Sequence, residues 1–240
     1  MRGLEEGQLP GGEEPASSLA ATIALAFDRH PGRLVVLCSF QKEESVLIDA
    51  LLQGAAAVGR PLRELARVVT IDTGVLFPET LATWREFERR FGLEVEVEYA
   101  TPRTIGEEGS WLGPQRCCSP AKVAALERAL AGAEAWMTGL RREQSPTRAQ
   151  ILPVERDRSR GLWKYNPLCF WSERELWQRI HHRSLPYNPL HDRGYASIGC
   201  ATCTVPGKGR EGRWAGTEKT ECGLHLPKGE IEGHRATAEC

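Results

Sequence analysis

After Arg33, the run Leu34-Val35-Val36-Leu37-Cys38 leads without a break into Ser39-Phe40-Gln41-Lys42-Glu43-Glu44-Ser45 and then Val46-Leu47-Ile48-Asp49-Ala50-Leu51-Leu52. The first five residues have the uninterrupted, partly β-branched apolar character of a strand buried on both faces. The last seven open a helix, with Val46, Leu47, Ile48, Leu51 and Leu52 at helical spacing. The unit then recurs. Val68-Val69-Thr70-Ile71 reads as a second strand ending at Asp72-Thr73-Gly74, and Phe77-Pro78-Glu79 opens a helix that reaches Phe91. Val95, Val97 and Tyr99 alternate with Glu94, Glu96 and Glu98, the pattern of a half-solvated strand. A helix over 119–130 and a strand over Ala135-Trp136-Met137-Thr138 follow. Strands alternating with helices predict an α/β fold, a Rossmann-like doubly wound and mostly parallel sheet with helices on both faces. Such sheets bind ligands beyond the carboxyl ends of their strands. Here those ends are Ser39 to Gln41, Asp72 to Gly74, and Gly139 to Ser145.

Outside this core the signals weaken. Residues 1–15 are acidic, carry Gly and Pro, lack the apolar stretch of a signal peptide, and read as a disordered leader. A helix is expected from Ser17 to Arg29, before His30-Pro31-Gly32. Beyond Pro153 a strand somewhere in 162–168 and a capped helix over 172–182 precede an irregular stretch punctuated by Pro186, Pro189, Gly194 and Gly199. The organisation expected is a leader (1–15), one α/β nucleotide- and cluster-binding domain (16–205) and a mobile tail (206–240). A net charge of -1 over 240 residues gives no electrostatic case for nucleic acid or membrane, and no apolar run reaches spanning length. The reading is a cytoplasmic protein. In that reducing compartment eight cysteines suit metal ligation or catalysis better than a disulfide framework.

The cysteines fall into groups. Cys200-Ala201-Thr202-Cys203 has metal-ligand spacing in a Gly-bearing turn, and Cys117-Cys118 stand at the start of a helix with Lys122 one turn on. Four thiolates suit zinc or an iron–sulfur cluster, and the spacing alone leaves the metal open. Cys222 is different. It lies outside any apolar periodicity, follows Lys219, precedes His225 by three residues, and comes after a run containing Lys208, Arg210 and Arg213. Nearby cations stabilise a thiolate, whereas Glu221 opposes it. Ser39 to Ser45 has the place of a phosphate-binding loop but lacks its glycines, which argues against a tightly held triphosphate. Arg141, Arg142 and Arg148 offer forked donors to an anion, or simply a solvated basic face. Cys38 reads as core, and Cys169 and Cys240 have no partner pattern.

Taken together these segments resemble the assimilatory sulfonucleotide reductases, and among them the adenylyl-sulfate (APS) reductases of bacteria. The matching stretches are Ser39-Phe40, Ile71-Asp72-Thr73-Gly74 with Leu76-Phe77-Pro78-Glu79-Thr80, Cys117-Cys118 with Lys122, and Thr138 to Pro146. They continue through Leu185 to Tyr195, Ser197-Ile198-Gly199-Cys200 with Cys203, Gly212-Arg213-Trp214, and Thr220 to His225. This chain departs from the family's usual Gly-Ala-Glu-Asp at Gln41-Lys42-Glu43-Glu44, and from its usual arginine at Ala121. The resemblance implies a PP-loop type sheet and thioredoxin-dependent reduction of APS to sulfite and AMP, an oxidoreductase acting on sulfur with a disulfide as acceptor, in sulfate assimilation and cysteine biosynthesis. It implies Cys222 as nucleophile, forming an S-sulfocysteine, and a 4Fe-4S cluster on Cys117, Cys118, Cys200 and Cys203. Ser39, Phe40, Gln41, Asp72, Thr73, Gly74, Lys122, Arg141, Arg142, Arg210, Arg213 and His225 are the implied substrate contacts. The implied partner is thioredoxin or a glutaredoxin-like dithiol, and a homo-oligomer is left open. The rival readings are a reductase of the 3′-phosphorylated substrate (PAPS) or of both, an ATP-dependent adenylating enzyme of the same sheet type, and a zinc-binding module.

Overall fold

Apolar strand residues alternate between two cores, one on each face of a six-stranded sheet. The computed structural model describes residues 14–100 and 120–214. The strands are β1 (Leu34–Cys38), β2 (Ala66–Asp72), β3 (Val95–Tyr99), β4 (Ala135–Met137), β5 (Val154–Asp157) and β6 (Leu162–Tyr165). The helices are α1 (Pro15–Arg29), α2 (Lys42–Ala57), the single turn α3 (Leu62–Leu65), α4 (Pro78–Phe91), α5 (Pro120–Ala129) and α6 (Glu173–His182). The sheet runs β3-β2-β1-β4-β6-β5, with every neighbouring pair parallel except β5 and β6. This is the expected mostly parallel α/β sheet.

Because strand side chains alternate, Leu34, Val36 and Cys38 join one core with Leu19, Ile23 and Phe27 of α1, the apolar face of α2, Phe87 of α4, and Leu176 and Ile180 of α6. Val35, Val69, Ile71 and Trp136 face the other way, onto Ala125, Leu126 and Ala129 of α5 and onto Cys200, Cys203 and Trp214. The edge strand β3 is half-solvated as its alternation predicts. Its acidic face is matched by Arg67 to Glu96 at 2.6 Å and Arg128 to Glu98 at 2.9 Å. Besides the single turn α3, the strand β5 is the element that the pattern hides. Val154-Glu155-Arg156-Asp157 is an edge strand pairing only with β6, so little of it needs to be apolar. Helix α1 begins at Pro15, two residues before the expected Ser17, since proline suits the first helical turn.

From β1 the chain steps outward to β2 and β3, then returns through α5 to β4 on the other side of β1. The order therefore reverses between β1 and β4. That switch point, at the strands' carboxyl ends, is where an open α/β sheet offers a crevice. Beyond it, residues 206–214, the start of the expected mobile tail, fold back onto the body. Val205 donates to the Gly212 carbonyl (2.9 Å), Gly207 to Gly194 (3.0 Å) and Trp214 to Cys203 (2.9 Å), and the Trp214 ring is buried. Cys117, Cys118, Cys222 and His225 lie outside the described residues. Among the described residues no helix is long and apolar enough to cross a membrane.

Candidate active site

A cavity of about 180 Å³ opens at the switch point, where a single buried water would take roughly 10–15 Å³ on the same measure. Its floor is the end of β1 (Leu37, Cys38, Ser39) and the turn after β4 (Thr138, Gly139, Leu140). One wall is the first turn of α2, and the other is the segment Ala196 to Cys200 with Arg210 and Arg213 behind it.

The turn between β1 and α2 is made by Phe40, whose φ of 54° lies in the left-handed region. Such a backbone costs on the order of 1–3 kcal/mol and persists where packing fixes it. Here the Phe40 ring is 1% exposed and stacks on Trp84 at 5.9 Å, which turns Gln41 up toward the cavity. The α2 N-terminus is then occupied from within the protein. Glu44 accepts from the Gln41 N–H (3.0 Å) and from the Ser39 hydroxyl (3.1 Å), and the Lys42 N–H donates to His191 Nε2 (3.2 Å). Helix N-termini bind phosphate through such N–H groups, so this one offers little to a pyrophosphate. That weighs against the adenylating reading.

The first turn of α2 is also buried. Glu43 accepts from Arg141 at 3.0 and 3.2 Å and from Gln144 at 2.9 Å. Arg141 reaches Glu143 (3.0 Å) and the Trp171 carbonyl (3.1 Å) as well, and Lys42 Nζ reaches Glu173 at 2.7 Å. Gly139 lets these layers meet, since a β-carbon there would stand 2.8 Å from Glu44 Oε1 and 2.9 Å from Glu43 Cβ. Burial alone would raise the Glu43 carboxyl, but the Arg141 and Lys42 charges outweigh it and hold the group at about 2. Burial, then the charge of Glu43, pushes Glu44 up to about 7.

These opposite shifts give a pH signature. The unfolded Glu44 carboxyl ionises near 4.5 and the folded one near 7, so its stabilising contribution is complete below 4.5 and lost as pH rises through 7. At about 1.4 kcal/mol per pH unit this is roughly 3 kcal/mol. Glu43 contributes above 4.5 and loses that contribution as pH falls toward 2. Glu44→Gln is therefore expected to lessen the loss of urea-unfolding stability between about pH 5 and pH 8, and curves parallel to wild type would contradict the assignment.

On the far wall Cys200 and Cys203 are buried on one short 3₁₀ turn (Ala201–Cys203). The Thr73 hydroxyl lies 3.2 Å from Cys200 Sγ, and Ala201 donates to the Val75 carbonyl (2.8 Å). Arg213 donates to the Ser197 hydroxyl (3.3 Å) and the Ile198 carbonyl (3.0 Å), while its buried Nε has no hydrogen-bond partner among the described residues. Lys122 and Arg210 also line the cavity. The other two described thiols are poor nucleophiles. Burial, then Glu44, raises Cys38 well above its ordinary range, and burial pushes Cys169 up to about 12.

Of the residues singled out in the sequence, Ser39, Gln41, Lys122, Arg141, Cys200, Arg210 and Arg213 meet at the cavity. Phe40 packs into the core instead. Asp72, Thr73 and Gly74 stand behind the cysteine turn, with Asp72 accepting from the Gly74 N–H at 2.8 Å. Arg142 points away, onto the Phe170 ring and the Ile151 carbonyl (2.9 Å). Cys203 is buried behind Cys200, in the core shared with α5. Lys42, Glu43, Glu44 and His191 belong to the site without having been singled out. A Glu three residues after Gln41, in the position of a capping box, is the signal that marks Glu44.

An open, mostly parallel sheet with a polar cavity at its switch point, lined by both cations and carboxylates, defines an α/β protein with a ligand-sized crevice. The phosphoadenosine phosphosulfate reductase domain matches residues 33–206, and the chain belongs to that family. It is 38% identical over 234 residues to an adenosine 5′-phosphosulfate reductase of Geobacillus kaustophilus, covering 92% of this chain and 95% of the relative. It is 39% identical over 215 residues to one from Anoxybacillus flavithermus, covering 85% and 88%. The fold is shared with a phosphoadenylyl-sulfate reductase from Candida auris in its phosphate complex, with a TM-score of 0.65 at 24% identity, covering 78% of this chain and 90% of that one.

Proposed function

We propose that this protein is a cytoplasmic enzyme that reduces adenosine 5′-phosphosulfate to sulfite and AMP with electrons from thioredoxin or a similar dithiol. The observation that carries the reading is the switch-point cavity, where Lys122, Arg210 and Arg213 converge beside a buried cysteine pair. The relatives named as reductases of this substrate support it.

In the proposed reaction the Cys222 thiolate attacks the sulfur of the phosphosulfate. A sulfur–sulfur bond forms, the bond from sulfur to the bridging oxygen breaks, and its electron pair leaves on the phosphate of AMP. Arg213, together with Arg210, Lys122 and His225, meets the charge that develops there. A dithiol thiolate then attacks Cys222 Sγ and releases sulfite with the bonding electron pair. The second thiol of the donor resolves the mixed disulfide, so sulfur is reduced by two electrons as the dithiol becomes a disulfide.

Cys117, Cys118, Cys200 and Cys203 are the proposed ligands of a 4Fe-4S cluster. The two described ones fit it: both thiols are soft donors, buried on one turn, with Thr73 in hydrogen-bond range of Cys200. When bound, such a cluster supplies fixed charge near the substrate and ties the cysteine segments together, without donating electrons to this reaction. A thioredoxin-coupled assay with APS and PAPS side by side on anaerobically purified protein, with iron and sulfide analysis, tests the reading. The expected result is a protein carrying iron and sulfide whose kcat/KM favours APS by roughly tenfold or more, a difference of about 1.4 kcal/mol in transition-state binding. Equal or better turnover of PAPS would favour the dual-substrate reading.

A further inference from the structure

The segment Tyr195 to Gly199 roofs the cavity, yet no strand or helix supports it; among the described residues its only backbone ladder is the Tyr195–Gly207 bridge. Buried or half-buried backbone groups need partners, and these find them in side chains from elsewhere. The Ile198 N–H donates to Gln41 Oε1 at 2.7 Å, and Gln41 Nε2 donates to the Ser39 hydroxyl at 3.0 Å. The Ala196 carbonyl accepts from Lys42 Nζ at 2.9 Å, and the same ammonium is pinned by Glu173. The Tyr195 carbonyl accepts from His191 Nδ1 at 2.7 Å. The other ring nitrogen of His191 accepts the Lys42 N–H, so this imidazole is neutral, in keeping with the lowering of its pKa by burial and then by Lys42. From behind, Arg213 holds the Ile198 carbonyl and packs so closely that a β-carbon on Gly199 would stand 2.7 Å from its guanidinium. Cys200 follows at once.

We infer that Gln41 and Lys42 are positioning residues, which strap the roof segment 195–199 to the β1–α2 turn and so set the shape of the nucleotide cavity. Their polar atoms are engaged by the protein: Gln41 uses both ends of its carboxamide on Ile198 and Ser39, and Lys42, 2% exposed, places its Nζ between Ala196 and Glu173. They act on ligand through the roof. The inference rests on the nucleotide-cavity reading, and its test separates the two.

Amide hydrogen exchange and AMP-binding calorimetry on the full-length, anaerobically purified protein are compared for wild type, Gln41→Ala, Gln41→Glu and Lys42→Met. In Gln41→Ala the Ile198 amide is expected to exchange at least tenfold faster while Val36 and Val69 in the sheet keep their protection, and AMP binding is expected to weaken about tenfold. That factor is one lost hydrogen bond of roughly 1.4 kcal/mol. Gln41→Glu keeps an acceptor for Ile198 and is expected to restore slow exchange there. Lys42→Met frees the Ala196 carbonyl and is expected to weaken AMP at least as much. Faster exchange at Ile198 with unchanged AMP affinity, or unchanged exchange in Gln41→Ala, overturns the positioning role. A wild-type protein that binds no AMP overturns the nucleotide-cavity reading, and the positioning role with it, whatever the exchange data show about the strap.

Discussion

Cys222→Ser is expected to produce no sulfite above background from APS, with AMP affinity and iron content within about twofold of wild type. A serine hydroxyl is not ionised near neutral pH and is a far weaker nucleophile toward sulfur than a thiolate. The described cysteines offer no substitute. Cys38 and Cys169 are buried with raised pKa values, and Cys200, in the cavity wall, and Cys203, buried behind it, are the proposed metal ligands. Chain length permits the role. Cys222 lies eight residues beyond Trp214, whose buried ring packs on the guanidinium of the cavity residue Arg213, so it is tethered within at most about 26–29 Å of that point. Sulfite formation at wild-type rate in this variant would remove Cys222 from the mechanism.

The second large effect lies in the floor of the site. Arg141→Met leaves the Glu43 carboxylate buried without its main partner, and breaking a buried pair in this way costs about 3–5 kcal/mol. Urea unfolding at pH 7 measures it. Adding Glu43→Gln is expected to recover a large part of the loss, because the double variant no longer buries an uncompensated charge. A loss under about 1 kcal/mol, or a double variant no better than Arg141→Met, would show that the network is not coupled as its geometry implies.

The sheet was legible because β1 and β4 are apolar throughout and β2 has a buried, mostly apolar middle, whereas β5, which borders solvent and pairs once, carries Glu155, Arg156 and Asp157. The site was legible in part. Its strand-end loops and cysteine spacing are local features of the chain. The burial of Lys42, Glu43 and Glu44 is not, since Lys42 is covered by α6 and the segment 189–199, and Glu43 and Glu44 by Gly139, Arg141 and Gln144, about a hundred residues or more along the chain. A charged first helical turn on its own reads as solvated. Arg141 and Arg142 are likewise indistinguishable in sequence. The 3₁₀ turn that begins between them sends Arg141 inward to Glu43 and Arg142 outward to Phe170. The Gly-rich run at 206–214 reads as a tail, but its small residues allow Gly212 to pair back on Val205 and bring Arg210 and Arg213 to the cavity.

A sulfonated Cys222 as intermediate is tested by mixing the full-length protein with APS labelled at sulfur in the absence of any dithiol. One equivalent of AMP is expected to be released, with label retained on the peptide that contains Cys222 and released as sulfite when thioredoxin is added. Label on another cysteine, or no labelled protein while AMP and sulfite form together only when thioredoxin is present, would contradict it.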